Sequence, residues 1–160
     1  MQAPGKEITL DKVDRVLLEN LQRDCSIPVN ELGQMVNLSG PACWKRIQRL
    51  KSAGVITAEV AICDPAKLDR GMLAFVFIQA RDHSQEWLKS FSVALGQLPE
   101  VTAAYRLSGD IDYLLHVLVS DIADYDRFYQ RLIRLVQLSN VSSSFAMERI
   151  KYSTAVPPQN

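Results

Sequence analysis

The stretch from Ser39 to Gly54, SGPACWKRIQRLKSAG, holds four basic residues and no acidic one, in a chain of 160 residues with a formal net charge of zero. Its cation density is therefore local. At about 100° per residue, Cys43, Leu50 and Gly40 fall near Ile47 on one side of a helix. Ala42, Lys45, Arg49 and Ser52 fall opposite, with Pro41 and Gln48 beside them. An apolar seam thus backs a stripe of small, amide and basic side chains, which suits an element entering a DNA major groove. The alternative is an ordinary amphipathic helix whose charged face is only solvated.

Upstream, Leu10, Val13, Leu17 and Leu21 recur at helical spacing, Cys25-Ser26-Ile27-Pro28 breaks the pattern, and Val29, Leu32 and Val36 resume it. Asn37-Leu38-Ser39-Gly40 then turns the chain. Ser39 stands where an N-cap belongs and Pro41 where a first-turn proline is tolerated, with Gly54 as the stop. Val55-Ile56 and Val60-Ala61-Ile62 read as strand. The expectation is three short helices forming a helix-turn-helix of winged-helix-like type, followed by a β extension.

Downstream of Asp64-Pro65 the period changes. Leu73 to Ile78 is a nearly continuous apolar run, as in a strand buried on at least one face. Ser84 precedes a helix with Trp87, Phe91, Leu95 and Leu98 on one side. Val101–Leu107 and Tyr113–Val119 read as strands around a Ser108-Gly109-Asp110 turn. Asp121 caps a helix carrying Ile122, Tyr125, Phe128, Leu132 and Leu135, and a last strand is expected through Phe145, Met147 and Ile150. The order βαββαβ folds into a ferredoxin-like sheet with both helices on one face, and the whole chain is α+β. The uncovered face of the sheet is about as apolar as the covered one, which predicts packing against a second copy.

The segment Gly109-Asp110-Ile111-Asp112-Tyr113 supports two readings. Glycine permits close backbone approach, and two carboxylates beside backbone amides suit both ends of a zwitterionic amino acid. Equally, the glycine supplies positive φ in a plain hairpin turn with solvated aspartates, which composition alone favours.

Other classes find little support. The apolar content of 48% predicts folded material nearly throughout, with mobile ends at residues 1–7 and Val156–Asn160. No apolar run approaches the roughly 20 residues of a membrane span and no signal-peptide core opens the chain, so a cytoplasmic protein is expected. Cys25, Cys43 and Cys63 form no CxxC and are odd in number, which suggests neither a disulfide framework nor zinc. His83 and His116 are isolated, so no metal site or cofactor is expected. Residues 1–60 carry eight basic and seven acidic residues, and 61–160 carry ten and eleven. With bulk charge balanced, two copies of the stripe in a dimer are the natural route to useful DNA affinity.

These residues resemble the Lrp/AsnC, or feast/famine, family of transcription regulators. The matching motifs are Leu10-Asp11-Lys12-Val13-Asp14-Arg15, Leu38-Ser39, Arg46-Ile47-Gln48-Arg49-Leu50 with Gly54-Val55-Ile56, and Ser108 to Leu115. Asp24-Cys25, Cys43 to Arg46, His83 to Trp87 and Ser142 to Tyr152 look closest to the DecR-type branch, whose members sense L-cysteine. The resemblance implies a helix-turn-helix domain at 8–56, a linking strand at 57–68, and an effector-sensing and oligomerisation domain at 69–154. It further implies homodimers that assemble to tetramers or octamers on double-stranded DNA, and an amino-acid effector bound between dimers. By position, Ser39, Pro41, Ala42, Lys45, Arg46 and Arg49 would face DNA. Ser108, Gly109, Asp110, Asp112, Ser142, Ser143 and Ser144 would neighbour the effector.

Two departures stand out. The family's proline before the Cys43 position is Ala42 here, with Pro41 displaced behind Gly40, so the reading helix could start at a different angle. The family's small alanine in the preceding helix is Gly33. The leading expectation is a sequence-specific regulator responsive to a small amino acid, with L-cysteine the first choice. The alternative is a nucleoid-like architectural protein indifferent to effectors. An enzyme is disfavoured, because no nucleophile–base pair or cofactor motif is visible.

Overall fold

The computed structural model describes residues 8–158, so the expectation for residues 1–7 lies outside the described residues, as do Gln159 and Asn160. The chain forms two compact units: one runs to Ala61 and takes back the C-terminal segment from Lys151, the other spans Ile62–Ile150.

In the first unit, α1 spans Lys12–Arg23, α2 Val29–Met35 and α3 Gly40–Ser52. Leu17, Leu32, Cys43 and Ile47 form its buried centre, with Val13, Leu21, Val36, Leu38 and Ile56 packed around them. Burying each large aliphatic side chain contributes about 1.5–3 kcal/mol, which makes this seam the source of the unit's cohesion. Asp11 caps α1 by accepting from the Asp14 N–H, while Asp14 accepts in return from the Asp11 N–H, a capping box.

Both α2 and α3 end by the same device. Asn37, at φ 56°, lets its own N–H reach Gln34 O and the Leu38 N–H reach Gly33 O. Gly54, at φ 73°, does the same with Lys51 O, while Val55 N–H reaches Leu50 O. The Leu38 carbonyl comes so close to Gly33 that a Cβ there would lie 2.7 Å from its oxygen, so glycine admits the tight turn. Gly40 likewise leaves room for the Asn30 side chain, which occupies the place of a Cβ.

The β extension expected after α3 does not form in this chain. Val55 and Ile56 are engaged in closing α3 and covering the core. Val60 and Ile62 are exposed and have no neighbouring strand among the described residues to supply a ladder. Residues 57–64 are irregular and Pro65–Leu68 form a single 3-10 turn, so the linking segment is not a strand here.

In the second unit, β1 (Met72–Ala80), α4 (Gln85–Gly96), β2 (Val101–Arg106), β3 (Tyr113–Val119), α5 (Ile122–Leu135) and β4 (Leu138–Phe145) follow in the expected order. The sheet order is β2-β3-β1-β4, antiparallel throughout. Alternate residues Ala74, Val76, Ile78, Tyr113, Leu115, Val117 and Val119 are buried with Phe91, Leu98, Phe128 and Leu132 of the helices. The intervening Leu73, Phe75, Phe77, Leu114, His116 and Leu118 form the partly exposed opposite face. Ser84 and Asp121 cap α4 and α5 as expected.

The last strand lies earlier than expected. It ends at Phe145, and Met147 and Ile150 are 97% and 90% exposed. The serine-rich run 142–144 proves to be the strand, because backbone pairing with β1 through Ser142, Ser143 and Ser144 supplies what apolar alternation does not. Among the described residues no helix is long and apolar enough to cross a membrane.

The segment after Lys151 departs from the expected domain end at 154 and from the expected mobile tail. Gln22 on α1 holds it with both ends of its amide: Nε2 donates to Val156 O at 3.0 Å, and Oε1 accepts from Val156 N at 2.6 Å. Gln22→Ala is expected to raise amide exchange and protease cleavage after Lys151 while leaving exchange in β1 and β3 unchanged; equal protection in both proteins would show that the amide does not hold the tail.

Candidate nucleic-acid interface and effector turn

The Ser39 hydroxyl accepts from the Ala42 N–H at 3.4 Å, and Pro41 lies in the first turn of α3. Cys43, Ile47 and Leu50 face inward, and burial pushes the Cys43 thiol up, away from reactive thiolate. On the outer side Ser39, Pro41, Lys45 and Arg49 are exposed, with Ala42 and Gln48 half-buried. Trp44 stands 53% exposed beside Lys45. The helical wheel had assigned Trp44 no role, because at about 60° from Ile47 it falls between the seam and the stripe.

The cations of the stripe are not equivalent. Arg46 Nη1 donates to Asp11 Oδ2 at 2.6 Å and to Asp14 Oδ1 at 2.9 Å, while Arg49 Nη2 pairs with the other oxygen of Asp14. Asp14 is fully buried, whereas the Arg46 and Arg49 side chains keep 30% and 47% of their surface. Lys51 turns aside to Glu59 at 2.8 Å. Lys45 alone of the four has no acidic partner among the described residues. The sequence did hold a signal for this network: Asp14 interrupts the apolar stripe of α1 next to Leu17 and Leu18, and an acid in that position requires cations.

The Asp11 carboxyl is lowered to about 2, first by the Asp14 N–H and then by the Arg46 guanidinium. Arg46 is raised in turn, chiefly by its bond to Asp11.

The turn between β2 and β3 has the positive-φ glycine of the plain hairpin reading, but its two aspartates differ. Gly109 has φ 133° and open space around it, so it supplies the bend that an L side chain would strain. Asp110 and Ser108 are exposed, and the Asp110 carboxylate has no partner among the described residues. Its carbonyl accepts from Gln79 Nε2 at 2.8 Å, fixing the turn to the end of β1. Asp112 is committed to structure: Oδ2 accepts from the Ala80 N–H at 2.8 Å, and its own N–H donates to Ile78 O.

Across β1, Ser142 pairs with Phe77 and Ser144 with Phe75, on the uncovered face of the sheet. Ser143 points the other way and its hydroxyl bonds with Tyr125 on α5. The structure therefore places Ser142 and Ser144 on the same face of β4, across β1 from the strand that follows the turn, and takes Ser143 out of that face. Period-two alternation alone would have separated Ser143 from its neighbours, had the strand been placed there. Among the described residues no group of three His, Cys, Asp or Glu side chains gathers to hold a metal.

A helix-turn-helix with an outward basic face, joined to a βαββαβ unit, defines a DNA-binding regulator with an appended ligand-type domain. The AsnC-type helix-turn-helix domain matches residues 10–51 and the Lrp/AsnC ligand binding domain matches residues 73–156. The DNA-binding transcriptional activator DecR of Escherichia coli (strain K12) is 46% identical over 149 residues, covering 92% of this chain and 98% of that protein. The glutamate uptake regulatory protein of Zymomonas mobilis is 44% identical over 148 residues, covering 92% and 90%. The crystal structure of an AsnC family transcriptional regulator from Agrobacterium tumefaciens superposes with TM-score 0.89 at 48% identity, covering 92% of this chain and 97% of that one. An L-Met complex of a transcriptional regulator from Neisseria meningitidis superposes with TM-score 0.88 at 29% identity, covering 93% and 97%. The chain belongs to the Lrp/AsnC family, whose members are DNA-binding transcriptional regulators and not enzymes.

Because the folded Asp11 value lies below the ordinary 3.8, its ionised form stabilises the first unit above about pH 4, and that contribution is lost as pH falls toward about 2. The thermal midpoint should fall over that window more steeply in the natural protein than in Asp11→Asn, as followed by circular dichroism. The two turn aspartates should also separate. Asp112→Ala strips the acceptor from the Ala80 N–H and is expected to cost about 1–3 kcal/mol in urea unfolding, whereas Asp110→Ala should stay within about 0.5 kcal/mol.

Proposed function

We propose that this protein is a sequence-specific regulator whose operator binding and assembly respond to a small amino acid, with L-cysteine as the effector. One observation carries the reading: the outer face of α3 presents Pro41, Trp44, Lys45, Arg49 and Ser52 to solvent, with Gln48 half-buried among them, behind a capped start and a tight turn. In this reading Ser39, Pro41 and Ala42 set the helix start against the phosphate backbone, and Lys45, Arg46 and Arg49 supply the cations. The DNA-binding activity in the name of the Escherichia coli relative supports it.

The effector would lie at the turn of Ser108, Gly109, Asp110 and Asp112, with Ser142 and Ser144 nearby. The unpaired Asp110 carboxylate suits an ammonium group. Ser143 would contribute by holding β4 to α5 through Tyr125. The L-Met complex of the Neisseria relative and the name of the Zymomonas relative, a glutamate uptake regulatory protein, make methionine and glutamate the competing effectors. L-cysteine is chosen because the DecR-type segments are matched at 46% identity over most of the chain.

A homodimer would cover the apolar sheet face of Leu73, Phe75, Phe77, Leu114 and Leu118, and dimers would associate into tetramers or octamers in the cytoplasm. Effector binding would favour one assembly and so change the spacing of the paired α3 helices, with a coupling of about 1–3 kcal/mol, or roughly 5- to 150-fold in affinity.

The test titrates the full-length protein against labelled DNA from upstream of its own gene at fixed salt, with L-cysteine, L-glutamate, L-methionine and L-leucine in turn. A specific complex whose affinity or footprint changes with L-cysteine is expected. Lys45→Ala should weaken that complex by about 1–3 kcal/mol if the ammonium reaches a base edge. Asp110→Ala should remove the response while leaving DNA binding intact. Tight binding unmoved by every amino acid would replace this reading with the architectural one.

A further inference from the structure

Asp14 is a fully buried acid behind the helix proposed to meet DNA, and its carboxylate is saturated. Oδ2 accepts from the Asp11 N–H at 3.1 Å and from Arg49, and Oδ1 accepts from Arg46 at 2.9 Å. Asp11 adds a second acceptor for Arg46 at 2.6 Å. Of the three outward cations of α3, two guanidinium groups are thus drawn back against α1 and only Lys45 projects without an acidic partner. A buried carboxylate does not move or hydrate easily, so the guanidinium groups it holds are fixed in direction as well as neutralised in part.

We propose that Asp14 is a positioning residue for DNA recognition. It holds Arg46 and Arg49 in one orientation on the flank of α3 and lowers the unspecific pull of that flank on phosphate. Sequence discrimination then rests on these oriented arginines together with Lys45, Gln48 and Trp44. The inference rests on α3 being the DNA-facing helix and goes beyond it by assigning a role to a residue that never touches DNA. Its consequence has an unusual sign: removing the Asp14 charge should tighten unspecific binding. Arg49 is then released and Arg46 keeps only Asp11, which adds one to two phosphate contacts, each steepening the salt dependence by about 0.9 in the log–log slope. Specific binding gains less, because the operator complex loses its oriented arginines.

The experiment compares the natural protein with Asp14→Asn, which keeps the shape and one capping acceptor, on operator and on unrelated duplex DNA across a salt series. In Asp14→Asn, unspecific affinity should rise about tenfold near 50 mM salt, the slope should steepen by about 1–2, and the ratio of operator to unrelated binding should fall. Asp14→Glu should restore part of the ratio. A purely structural Asp14 would lower the unfolding midpoint yet leave slope and ratio unchanged in the folded fraction, and that result overturns the proposal. Should Asp14→Asn fail to fold, Asp11→Asn serves, since it frees one bond of Arg46 from a half-exposed partner. It must shift the ratio in the same direction by a smaller factor, and an unchanged ratio refutes the role. Lys45→Ala separates the two levels of inference. If it leaves operator binding untouched, α3 is not the reading helix. If it weakens binding while Asp14→Asn leaves the ratio alone, only the positioning role fails.

Discussion

The buried carboxylate of Asp14 is the constraint on which the DNA-facing unit turns. A buried carboxylate is tolerated only when its lone pairs are met, and here the Asp11 N–H, Arg46 and Arg49 meet them. That requirement ties the start of α1 to the middle of α3, which the apolar seam of Leu17, Leu32, Cys43 and Ile47 alone would leave free to slide. Hydrophobic contact supplies most of the cohesion and little direction. The ion pairs supply direction, and so decide which side chains of α3 remain available outward.

The two turns around α3 work with this constraint. Asn37 and Gly54 adopt positive φ to close α2 and α3, and Gly33 makes room for the Leu38 carbonyl. The Asn30 side chain occupies the space that Gly40 leaves open. With proline one position earlier than the family pattern, Gly40 and Asn30 set how α3 begins. Helix α3 is therefore held at its start, its middle and its end by three different kinds of interaction.

In the sheet unit, one layer of alternating aliphatic residues faces two helices, and the opposite layer stays partly open. Asp112 shows how two acids in one turn part company. Its side chain completes the hydrogen bonding of Ala80 at the end of β1, leaving Asp110 two residues earlier with an unpaired charge. Two aspartates that look interchangeable in the sequence thus carry different work, one holding the turn and the other facing solvent. The tail beyond Lys151 repeats the lesson, since one amide on α1 orders a segment that composition reads as loose.

The three helices of the first unit, the βαββαβ order of the second, and the caps at Ser39, Ser84 and Asp121 were legible in the sequence because they depend on local periodicity and short-range capping. Family membership followed for the same reason, from motifs carried in order along the chain. The sequence misplaced what depends on pairing between distant segments. Val60 and Ile62 look like strand but lack a neighbour to bond, whereas the polar run Ser142–Ser144 looks like loop and becomes strand because β1 lies beside it. The fate of the cations was equally hidden. A helical wheel gives the direction of Arg46 and Arg49 but not the acid waiting on α1, and only the tertiary structure decides which cations are paired within the protein and which keep no acidic partner.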